Sequence, residues 1–568
     1  MPERYPPFTD LERLESHLGD PHDERVVFSH AACVRLDAAE EFPGDICAHL
    51  DRWGVPAYYV PAECGGALRT LEHGLHLLRA IARRDLTVAI GHGKTFLGAV
   101  SAWFGGPEIQ ELVARWVLAG VPVSWGLTER AHGSDLLAGE VTVEETDGAL
   151  RLTGEKWLIN NATRGGVTAV LARVHGREGP RAFDVVYADK AGLAPGTFRT
   201  LPKERTLGIR GADISGIAYT GAPVPEGNRV GEPGTGLETV LRALQLTRTM
   251  CAGLSLGGGE HALRLAMSML GPRAGEPEAR ARLLDAYADH LAAEVVATVA
   301  ARCAHLAPAE LSVVSAAVKY LVPLRTDALI RRLGDLLGMA AWDGGPEAVR
   351  FDKVARDHRI VDLFDGNRVV NLYAIVNQLP LLAAACARPV EWPQAAGLAA
   401  LDRPCPALAP GRLRLVAARG VTVLRALPGA AERLREMAAR RPELRPLAEV
   451  AAEVLARARS LCERTAALKP APALVPVEHF EAAESFAAVF AAAAAVEVWL
   501  ATHGSKPVAA DDPRWAGGAW VRMVVHRLLG TPCDEPAREA MWTALTAQHR
   551  EGMLLSLFPC RLAEGGMG

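Results

Sequence analysis

The spacing of hydrophobic residues changes twice along this chain. Over residues 10–118, apolar side chains recur every three or four positions, as in LEHGLHLLRAIARRD (71–85), and this period predicts amphipathic helices. Over residues 120–236, short β-branched stretches such as VPVSWGL and LRLTGEKWLI alternate with turns, which predicts strands. Long helical patterns then return. The chain is therefore predicted to be mainly α, with a β domain between helical regions.

Two strips rich in proline and glycine mark further boundaries. GAPVPEGNRVGEPGTG closes the strand-rich part, and a second strip covers residues 387–411. After it, RLREMAARRPELRPLAEVAAEVLARARSL has an amphipathic, arginine-studded helical pattern. The predicted domains are an N-terminal helical domain (1–120), a middle β barrel or sandwich (121–235), a helical bundle (236–386) and a helical extension (387–568).

Composition narrows the class of protein. The chain has 568 residues, 49% hydrophobic and 23% charged, which is a globular composition spread over several cores. A formal charge of −4 gives no reason to expect a nucleic acid partner. No C-x-x-C pair occurs among the ten cysteines, which predicts buried free thiols in a reducing cytoplasm. The start lacks a signal peptide, and the apolar run FAAVFAAAAAV (486–496) is too short to span a bilayer.

The most informative segments lie in the strand-rich part. GLTERAHGSDL (126–136) places a threonine, an acid and a Gly-Ser-Asp turn at the end of a strand, where backbone N–H groups and hydroxyls can hold a phosphate or the edge of a flavin. An ordinary turn between strands is the alternative. GEKWLINNA (154–162) follows after a hairpin, and the pair of segments at this spacing is more specific than either alone.

Together these segments resemble the acyl-CoA dehydrogenase family, and other stretches extend the resemblance over roughly residues 10–385. VPAECGG (60–66), FGGPEIQELV (104–113), TLGIRGADISGIAYTGAPVPEGNRVGEPGTG (206–236) and VRFDKVARDHRIVDLFDGN (349–367) are each similar to family segments in the same order. The resemblance implies an N-terminal helical domain, a middle β domain and a C-terminal four-helix bundle. It also implies an FAD cofactor between the β domain and the bundle.

The resemblance assigns residues to the cofactor. Thr128 and Asn160 take positions that bond the flavin ring, and Trp125, Leu127 and Leu158 take positions beside it. Others matching cofactor-binding positions are Gly133 and Ser134 at the pyrophosphate, Gly338, and Asn367. The family's Arg-x-x-Phe-Gly…Gln segment is missing, and its glycine-rich Gln-x-x-Gly-Gly-x-Gly loop becomes DLLGMAA (335–341). These departures concern the adenosine half of FAD.

Asp365 falls where most of the family has its catalytic glutamate. In the family, this base removes the α-proton of an acyl thioester while the β-hydride passes to the flavin. Some relatives place the acid immediately before the arginine that matches Arg248, but that position here holds Thr247. Asp365 is therefore the predicted base, with Arg248 near the active site. The alternatives are that Asp365 is an ordinary turn residue in Asp365-Gly366-Asn367 and that Arg248 is a helix-surface or ion-paired arginine.

Three functions follow from the resemblance. The first is an FAD-dependent dehydrogenase that forms an α,β-double bond in an acyl thioester on CoA or a carrier protein, passing electrons to an electron-transfer flavoprotein or another acceptor. The second is a flavin-dependent oxidase or monooxygenase on the same fold, and the third is a flavin-free, non-catalytic homologue. Larger family members carry a helical extension where a second dimer would sit, so a homodimer is predicted.

Three other sequence patterns give weaker evidence for a function. GLSLG (253–257) has the spacing of a hydrolase nucleophile elbow, but its surroundings predict one continuous helix, whereas an elbow needs a strand before the serine. GHGKTFLG (91–98) ends like a phosphate loop, but Val88 occupies the required first glycine position, so this function is excluded. The histidines lack ligand-spaced partners, which predicts no metal site and a hydrogen-bonded or solvent-facing His92.

Overall fold

Helices occupy both ends of the computed structural model, which describes residues 6–146, 148–468, 475–505, 508 and 512–563. The first helical region contains α1 (Pro6–Leu18), α2 (His30–Ala39), α3 (Gly44–Trp53), α4 (Leu71–Arg84), α5 (Leu86–Ala99) and α6 (Pro107–Leu118). Asp85 separates α4 from α5, and its side chain accepts a hydrogen bond from the Val88 N–H. This N-terminal cap gives the Val88 N–H a hydrogen-bond acceptor that it would otherwise lack. It also lets the chain turn sharply between two buried helices.

A curled seven-stranded sheet forms the middle of the chain. Its strands are β1 (Val123–Gly126), β2 (Thr142–Thr146), β3 (Ala149–Asn160), β4 (Val167–Val174), β5 (Phe183–Asp189), β6 (Phe198–Leu201) and β7 (Ile214–Pro225). The sheet order is β1-β4-β2-β3-β7-β6, with β5 paired to β4. The long strands β3 and β7 pair antiparallel, and their inward residues join a separate small core. Alternation of buried and exposed positions is clear in β3, whereas β1, β4 and β5 are buried on both faces.

The helices after the sheet pack against the N-terminal helices. They are α7 (Gly236–Leu270), α8 (Pro277–Leu306), α9 (Leu311–Leu337), α10 (Pro346–His358), α11 (Arg368–Val376) and α12 (Leu379–Cys386). Helix α7 crosses α4 closely at two glycines. A Cβ on Gly253 would lie 2.7 Å from the Leu75 carbonyl oxygen, and one on Gly257 would lie 2.5 Å from the Arg83 nitrogen. The glycines of the GLSLG motif thus serve helix packing.

The extension is helical, and the predicted fold class is confirmed. Its helices are α13 (Trp392–Ala399), α14 (Thr422–Arg440), α15 (Arg445–Ala466), α16 (Val477–Thr502), α17 (Pro513–Ala516), α18 (Ala519–Leu529) and α19 (Glu535–Arg550). The end of the chain returns to α4, where Arg79 pairs with Glu260 at 3.0 Å and with Glu294 at 2.5 Å. The Leu555 and Leu557 N–H groups bond the same two carboxylates, so buried charges fasten the extension to the bundle.

Helix α16 contains the apolar run and is longer than that run. Among the described residues, it is the single unbroken helix long and apolar enough to cross a membrane by length and composition, with a mean hydropathy of 1.7. Two bent helix pairs raise the number of candidates to three if each pair is taken as one span. Within the folded chain, 83% of the α16 window is buried. The apolar run thus lies in a helix that is longer than the run itself and is mostly buried inside the protein.

The prediction that the cysteines are free thiols is wrong for two of them. Cys386 and Cys462 form a disulfide, with Cα atoms 6.5 Å apart. The pairing arises because α12 packs against α15, so that residues 76 positions apart in the chain become neighbours. No spacing motif signals such a pair. The eight other cysteines are free.

Candidate active site

The loop between α10 and α11, residues 359–367, presents the predicted base and is called the base loop here. Asp365 and Gly366 both adopt left-handed backbone conformations, with φ of 56° and 93°. Asn367 accepts a hydrogen bond from the Val370 N–H at 3.0 Å and so caps α11. The turn predicted from Asp-Gly-Asn is real, and it directs the Asp365 side chain inward, where only 7% of it is exposed.

Two buried cations hold the backbone of the base loop. The Arg248 Nε on α7 donates to the Asp365 carbonyl at 3.0 Å, and the Lys319 Nζ on α9 donates to the Val361 carbonyl at 2.7 Å. Burial lowers the pKa of Arg248 to about 10, and nearby Asp365 opposes this effect. Burial also lowers the pKa of Lys319. The structure thus brings Arg248 and Asp365 together, as the sequence predicts.

The Asp365 carboxylate faces two groups from different helices. The Cys251 thiol on α7 donates to Oδ2 at 3.4 Å, and the Lys94 Nζ on α5 lies 4.0 Å from Oδ1. Burial raises the pKa of the Cys251 thiol, and the Asp365 charge raises it further. The thiol therefore stays protonated and acts as a hydrogen-bond donor. Lys94 also lies 3.9 Å from the centre of the Phe364 ring, a cation–π contact.

A small apolar cavity of about 20 Å³ adjoins these groups, with room for about one water molecule. Helices α4, α5 and α7 and the base loop form its wall. The lining side chains are Tyr59, Leu78, Ala89, Ile90, Gly93, Lys94, Phe96, Leu97, Met250, Cys251, Leu254 and Phe364. Asp365 lies directly behind this wall, linked to it through Cys251 and Lys94. A carboxylate at the edge of an apolar pocket is suited to taking a proton from carbon.

A buried ion pair positions the predicted flavin-binding turn after β1. The Lys156 Nζ on β3 donates to Glu129 Oε1 at 2.7 Å and to the Leu127 carbonyl at 3.0 Å. The Trp157 N–H donates to the Thr128 carbonyl at 3.0 Å. Burial lowers the pKa of Lys156, and the Glu129 carboxylate opposes this. Leu127 and Thr128 are therefore fastened to β3 on both sides, next to Trp125.

The end of β3 has the chemistry that a flavin ring requires. A register shift between Trp157 and Ile159 turns Leu158 outward, with φ of 55° and 42% of its surface exposed. Asn160 is 7% exposed, yet neither its Oδ1 nor its Nδ2 has a hydrogen-bond partner. An unpartnered buried amide is costly unless a ligand bonds it. The ring half of FAD fits these residues.

Other predicted cofactor residues lie apart from this cluster. Gly133 and Ser134 are exposed in the loop after β1, and a Cβ on Gly133 would meet no atom within 4 Å, so the turn can approach a phosphate closely. Gly338 ends α9 with φ of 55°. The turn that follows exposes Met339 and Trp342 instead of glycines. Nothing in the described residues of this turn forms a phosphate cradle.

Sequence reasoning missed four residues of the site: Lys94, Cys251, Lys319 and Lys156. Lysine is scarce in this arginine-rich chain, and the three lysines interrupt apolar patterns on α5, α9 and β3. Their side chains are at most 15% exposed. A lysine is normally exposed, so this pattern was a usable signal for buried charge. Cys251 had no such signal, because a buried cysteine is ordinary.

The GLSLG motif forms part of a buried polar chain. Ser255 Oγ lies 2.9 Å from His358 Nε2, and His358 Nδ1 lies 2.5 Å from Asp327 Oδ1. Ser255 lies within the continuous helix α7, and neither Ser255 nor His358 is exposed. The buried hydroxyl is closed to a substrate carbonyl, and the predicted continuous helix is present where an elbow would need a strand before the serine.

His92 makes two protein contacts, as predicted. Its Nδ1 lies 2.6 Å from the Tyr59 hydroxyl, and its Nε2 lies 3.0 Å from Asp51 Oδ1. Among the described parts of the chain, no group of three or more His, Cys, Asp or Glu side chains is arranged to hold a metal ion.

The succession of helices, curled sheet, bundle and helical extension is that of acyl-CoA dehydrogenases of known structure. A butyryl-CoA dehydrogenase from Megasphaera elsdenii aligns with a TM-score of 0.59 and 20% identity, over 65% of this chain and 97% of that one. An acyl-CoA dehydrogenase complexed with FAD from Bacillus anthracis aligns with a TM-score of 0.60 and 17% identity. The second alignment covers 96% of this chain and 84% of that one, so the extension is shared as well.

Sequence comparisons agree with the fold. Residues 124–221 match the model of the acyl-CoA dehydrogenase middle domain. A probable acyl-CoA dehydrogenase of Mycobacterium tuberculosis is 26% identical over 366 residues, which covers 61% of this chain and 90% of that protein. A counterpart from Mycobacterium leprae is 27% identical over 371 residues, with the same coverage. These matches confirm the resemblance to the acyl-CoA dehydrogenase family that the motifs indicate.

Proposed function

We propose that this protein is an FAD-dependent dehydrogenase that forms an α,β-double bond in an acyl thioester. The observation that carries the proposal is the Asp365 carboxylate, held inward by the base loop beside a small apolar cavity. The match of residues 124–221 to the acyl-CoA dehydrogenase middle domain and the flavin-compatible end of β3 support it.

Each residue of the site has a separate role in the proposed reaction. FAD, when bound, supplies the acceptor for the hydride that leaves the β-carbon. Asp365 takes the α-proton, so that loss of one proton and one hydride leaves the carbon–carbon double bond. Arg248 and Lys319 hold the base loop through backbone carbonyls, which keeps the carboxylate in place. Thr128 and Asn160 would hold the flavin ring.

The substrate carbonyl also needs a partner, because polarising it acidifies the α-carbon. The Asp365 N–H donates to no acceptor among the described residues. It lies next to the carboxylate that takes the proton, which suits it to bond the thioester oxygen and to stabilise the enolate that forms. The apolar wall of the cavity excludes water and strengthens this bond.

The test combines spectroscopy with substitution. Protein purified with excess FAD should be yellow and should bleach under anaerobic conditions with a short-chain acyl-CoA. Asp365→Ala should retain flavin but lose bleaching by about 10²–10⁴-fold in rate, and Asp365→Glu should retain activity. Asp352→Asn, an exposed acid on α10, is the matched control. Protein that stays colourless would favour the flavin-free alternative, and oxygen consumption with a non-thioester substrate would favour an oxidase.

Electron acceptor, assembly and location extend the proposal. A chain from a structure of the electron transferring flavoprotein of Acidaminococcus fermentans shares this fold, with a TM-score of 0.59 and 17% identity. We propose an electron-transfer flavoprotein as the acceptor, a cytoplasmic location, and CoA or a carrier protein as the thioester group. Exposed Met339 and Trp342 support a homodimer, which light scattering on a sizing column would test.

A further inference from the structure

A second cavity, of about 530 Å³, lies against α5 between the N-terminal helices and the sheet. Its volume is in the range of small-molecule binding sites. His92 and Thr95 on α5 line this cavity, whereas Lys94 on the same helix lines the small apolar cavity near the proposed base. Helix α5 therefore separates the two cavities, and the proposed reaction uses none of the residues that line the larger one.

A buried chain of hydrogen bonds positions a carboxylate at the rim of this cavity. The Tyr59 hydroxyl lies 2.6 Å from His92 Nδ1, and His92 Nε2 lies 3.0 Å from Asp51 Oδ1. Burial raises the pKa of Tyr59, so its hydroxyl keeps the proton and donates to Nδ1, which leaves the Nε2–H to donate to Asp51. The Asp51 side chain is 43% exposed. Its Oδ2 has no partner among the described residues and can accept a hydrogen bond from a ligand.

A cation lines the same cavity. The guanidinium of Arg164, in the loop after β3, lies 4.0 Å from the centre of the Phe42 ring. Burial raises the pKa of the Cys47 thiol to about 12, and the Asp51 charge raises it while the Arg164 charge lowers it. Both charges therefore lie near this one wall residue. No carboxylate in the described part of the chain pairs with Arg164, so Asp51 and Arg164 leave room for a ligand between them.

The floor and the wall of the cavity add two further requirements. Asn161 is 2% exposed, and its Nδ2 donates to the Gly91 carbonyl at 2.7 Å, whereas its Oδ1 has no hydrogen-bond partner. A buried acceptor without a partner is costly unless a ligand bonds it. The apolar part of the wall consists of Phe42, Pro56, Val117, Val121 and Pro122. A fitting ligand has an anionic group, a group with several N–H donors, and an apolar body.

We propose that this cavity binds a zwitterionic amino acid with an apolar side chain. The ligand carboxylate bonds the Arg164 guanidinium, whose planar fork suits two parallel N–H···O bonds. The ligand ammonium has three donors, and Asp51 Oδ2 and Asn161 Oδ1 are acceptors for them. A phosphate monoester fits less well, because its second negative charge is repelled by Asp51. This inference does not rest on the proposed dehydrogenase function.

The experiment is calorimetric titration of the full-length protein with three ligands that share one apolar body. L-Phenylalanine carries both charges, phenethylamine lacks the carboxylate, and 3-phenylpropanoate lacks the amine. Wild type should bind phenylalanine at least about 10-fold more tightly than either analogue, since each analogue leaves one charged group of the cavity without its partner. Phenylalanine should also raise the Tm more than either analogue does at the same concentration.

Two variants assign the charges. Arg164→Gln should weaken phenylalanine binding about 10-fold and leave phenethylamine binding unchanged. Asp51→Asn retains an oxygen that accepts the His92 N–H, and it should weaken phenylalanine binding about 10-fold while 3-phenylpropanoate binding stays unchanged. Arg52→Gln and Asp45→Asn change exposed charges on α3 outside the cavity and should bind phenylalanine as wild type does.

The wild-type comparison by itself can overturn the inference. Absence of saturable binding of phenylalanine would do so, and so would equal affinity for the three ligands, which would show that the apolar body alone is recognised. Wild-type affinity for phenylalanine in both Arg164→Gln and Asp51→Asn would place its binding outside this cavity and would also overturn the inference.

Discussion

Lys156→Met tests whether the buried pair with Glu129 builds the flavin-binding turn. Lys156 is 1% exposed and the Glu129 side chain is 7% exposed, so the substitution leaves a carboxylate buried without its cation. Breaking a buried ion pair from one side costs about 3–5 kcal/mol. Glu129 keeps hydrogen bonds from the Glu140 and Val141 N–H groups, so the low end, about 3 kcal/mol, is expected.

The same substitution should weaken flavin binding. The Leu127 carbonyl loses the Lys156 donor, and Thr128, which follows it, loses part of its support. Because Leu127 and Thr128 face the predicted ring site, the Kd for FAD should rise by at least about 10-fold, equivalent to about 1.4 kcal/mol. Urea unfolding followed by tryptophan fluorescence measures stability, and a fluorescence titration of flavin-free protein measures the Kd.

Two further variants make the test specific. Lys156→Met with Glu129→Gln removes both charges, and its cost should be smaller than that of Lys156→Met alone, since no carboxylate is left unpaired. Arg151→Met removes an exposed cation of the same strand, β3, and should change stability by less than about 0.5 kcal/mol. Wild-type stability and FAD affinity in Lys156→Met, or a double variant less stable than the single one, would refute the reasoning.

Three further results are expected. Burial raises the pKa of Glu497 to about 8, so its stabilising contribution is complete below about pH 4.5 and is lost as pH rises towards 8. Glu497→Gln should therefore remove an effect on the order of 4 kcal/mol from the pH dependence of the free energy of unfolding. An unchanged pH profile in this variant would contradict the expectation. Gly366→Ala would place a Cβ 3.1 Å from Arg248 Nη2 at a backbone φ of 93°. The strain should displace the base loop, so kcat should fall at least about 10-fold while FAD binding stays intact. An unchanged kcat would show that the substitution does not strain the base loop. Cys386→Ser opens the loop that the disulfide closes and should lower the free energy of unfolding by up to about 4 kcal/mol in denaturant titrations. Adding a reductant to this variant should have no further effect. A wild-type protein whose disulfide can be fully reduced without loss of stability would contradict the expected loss.

Local patterns determined the succession of elements. The three-to-four-residue period of the first region predicted α4 and α5, and the short β-branched stretches predicted β1 to β5. Local pattern did not predict that α4, α5, β1, β4 and β5 are buried on nearly every side, because that depends on the elements packed around them. The ordered motifs indicated a resemblance to acyl-CoA dehydrogenases. Asp365 and Arg248, 117 residues apart, were expected near one site, and the structure brings them into contact. That expectation came from the resemblance, since spacing alone does not bring two such distant residues together.

The sequence could not determine the contacts between elements that are distant along the chain. Lys94 on α5 meets Asp365 only because α5, α7 and the base loop converge, and Cys386 meets Cys462 only because α12 packs on α15. The Lys156 pair likewise depends on how the turn after β1 folds onto β3. The period of apolar residues predicts which positions of an element are buried. It does not predict which group lies opposite a buried charge, and that group determines the role of the charge. The sequence by itself thus determined the elements and the resemblance to acyl-CoA dehydrogenases, and tertiary packing decided which charge faces the proposed base.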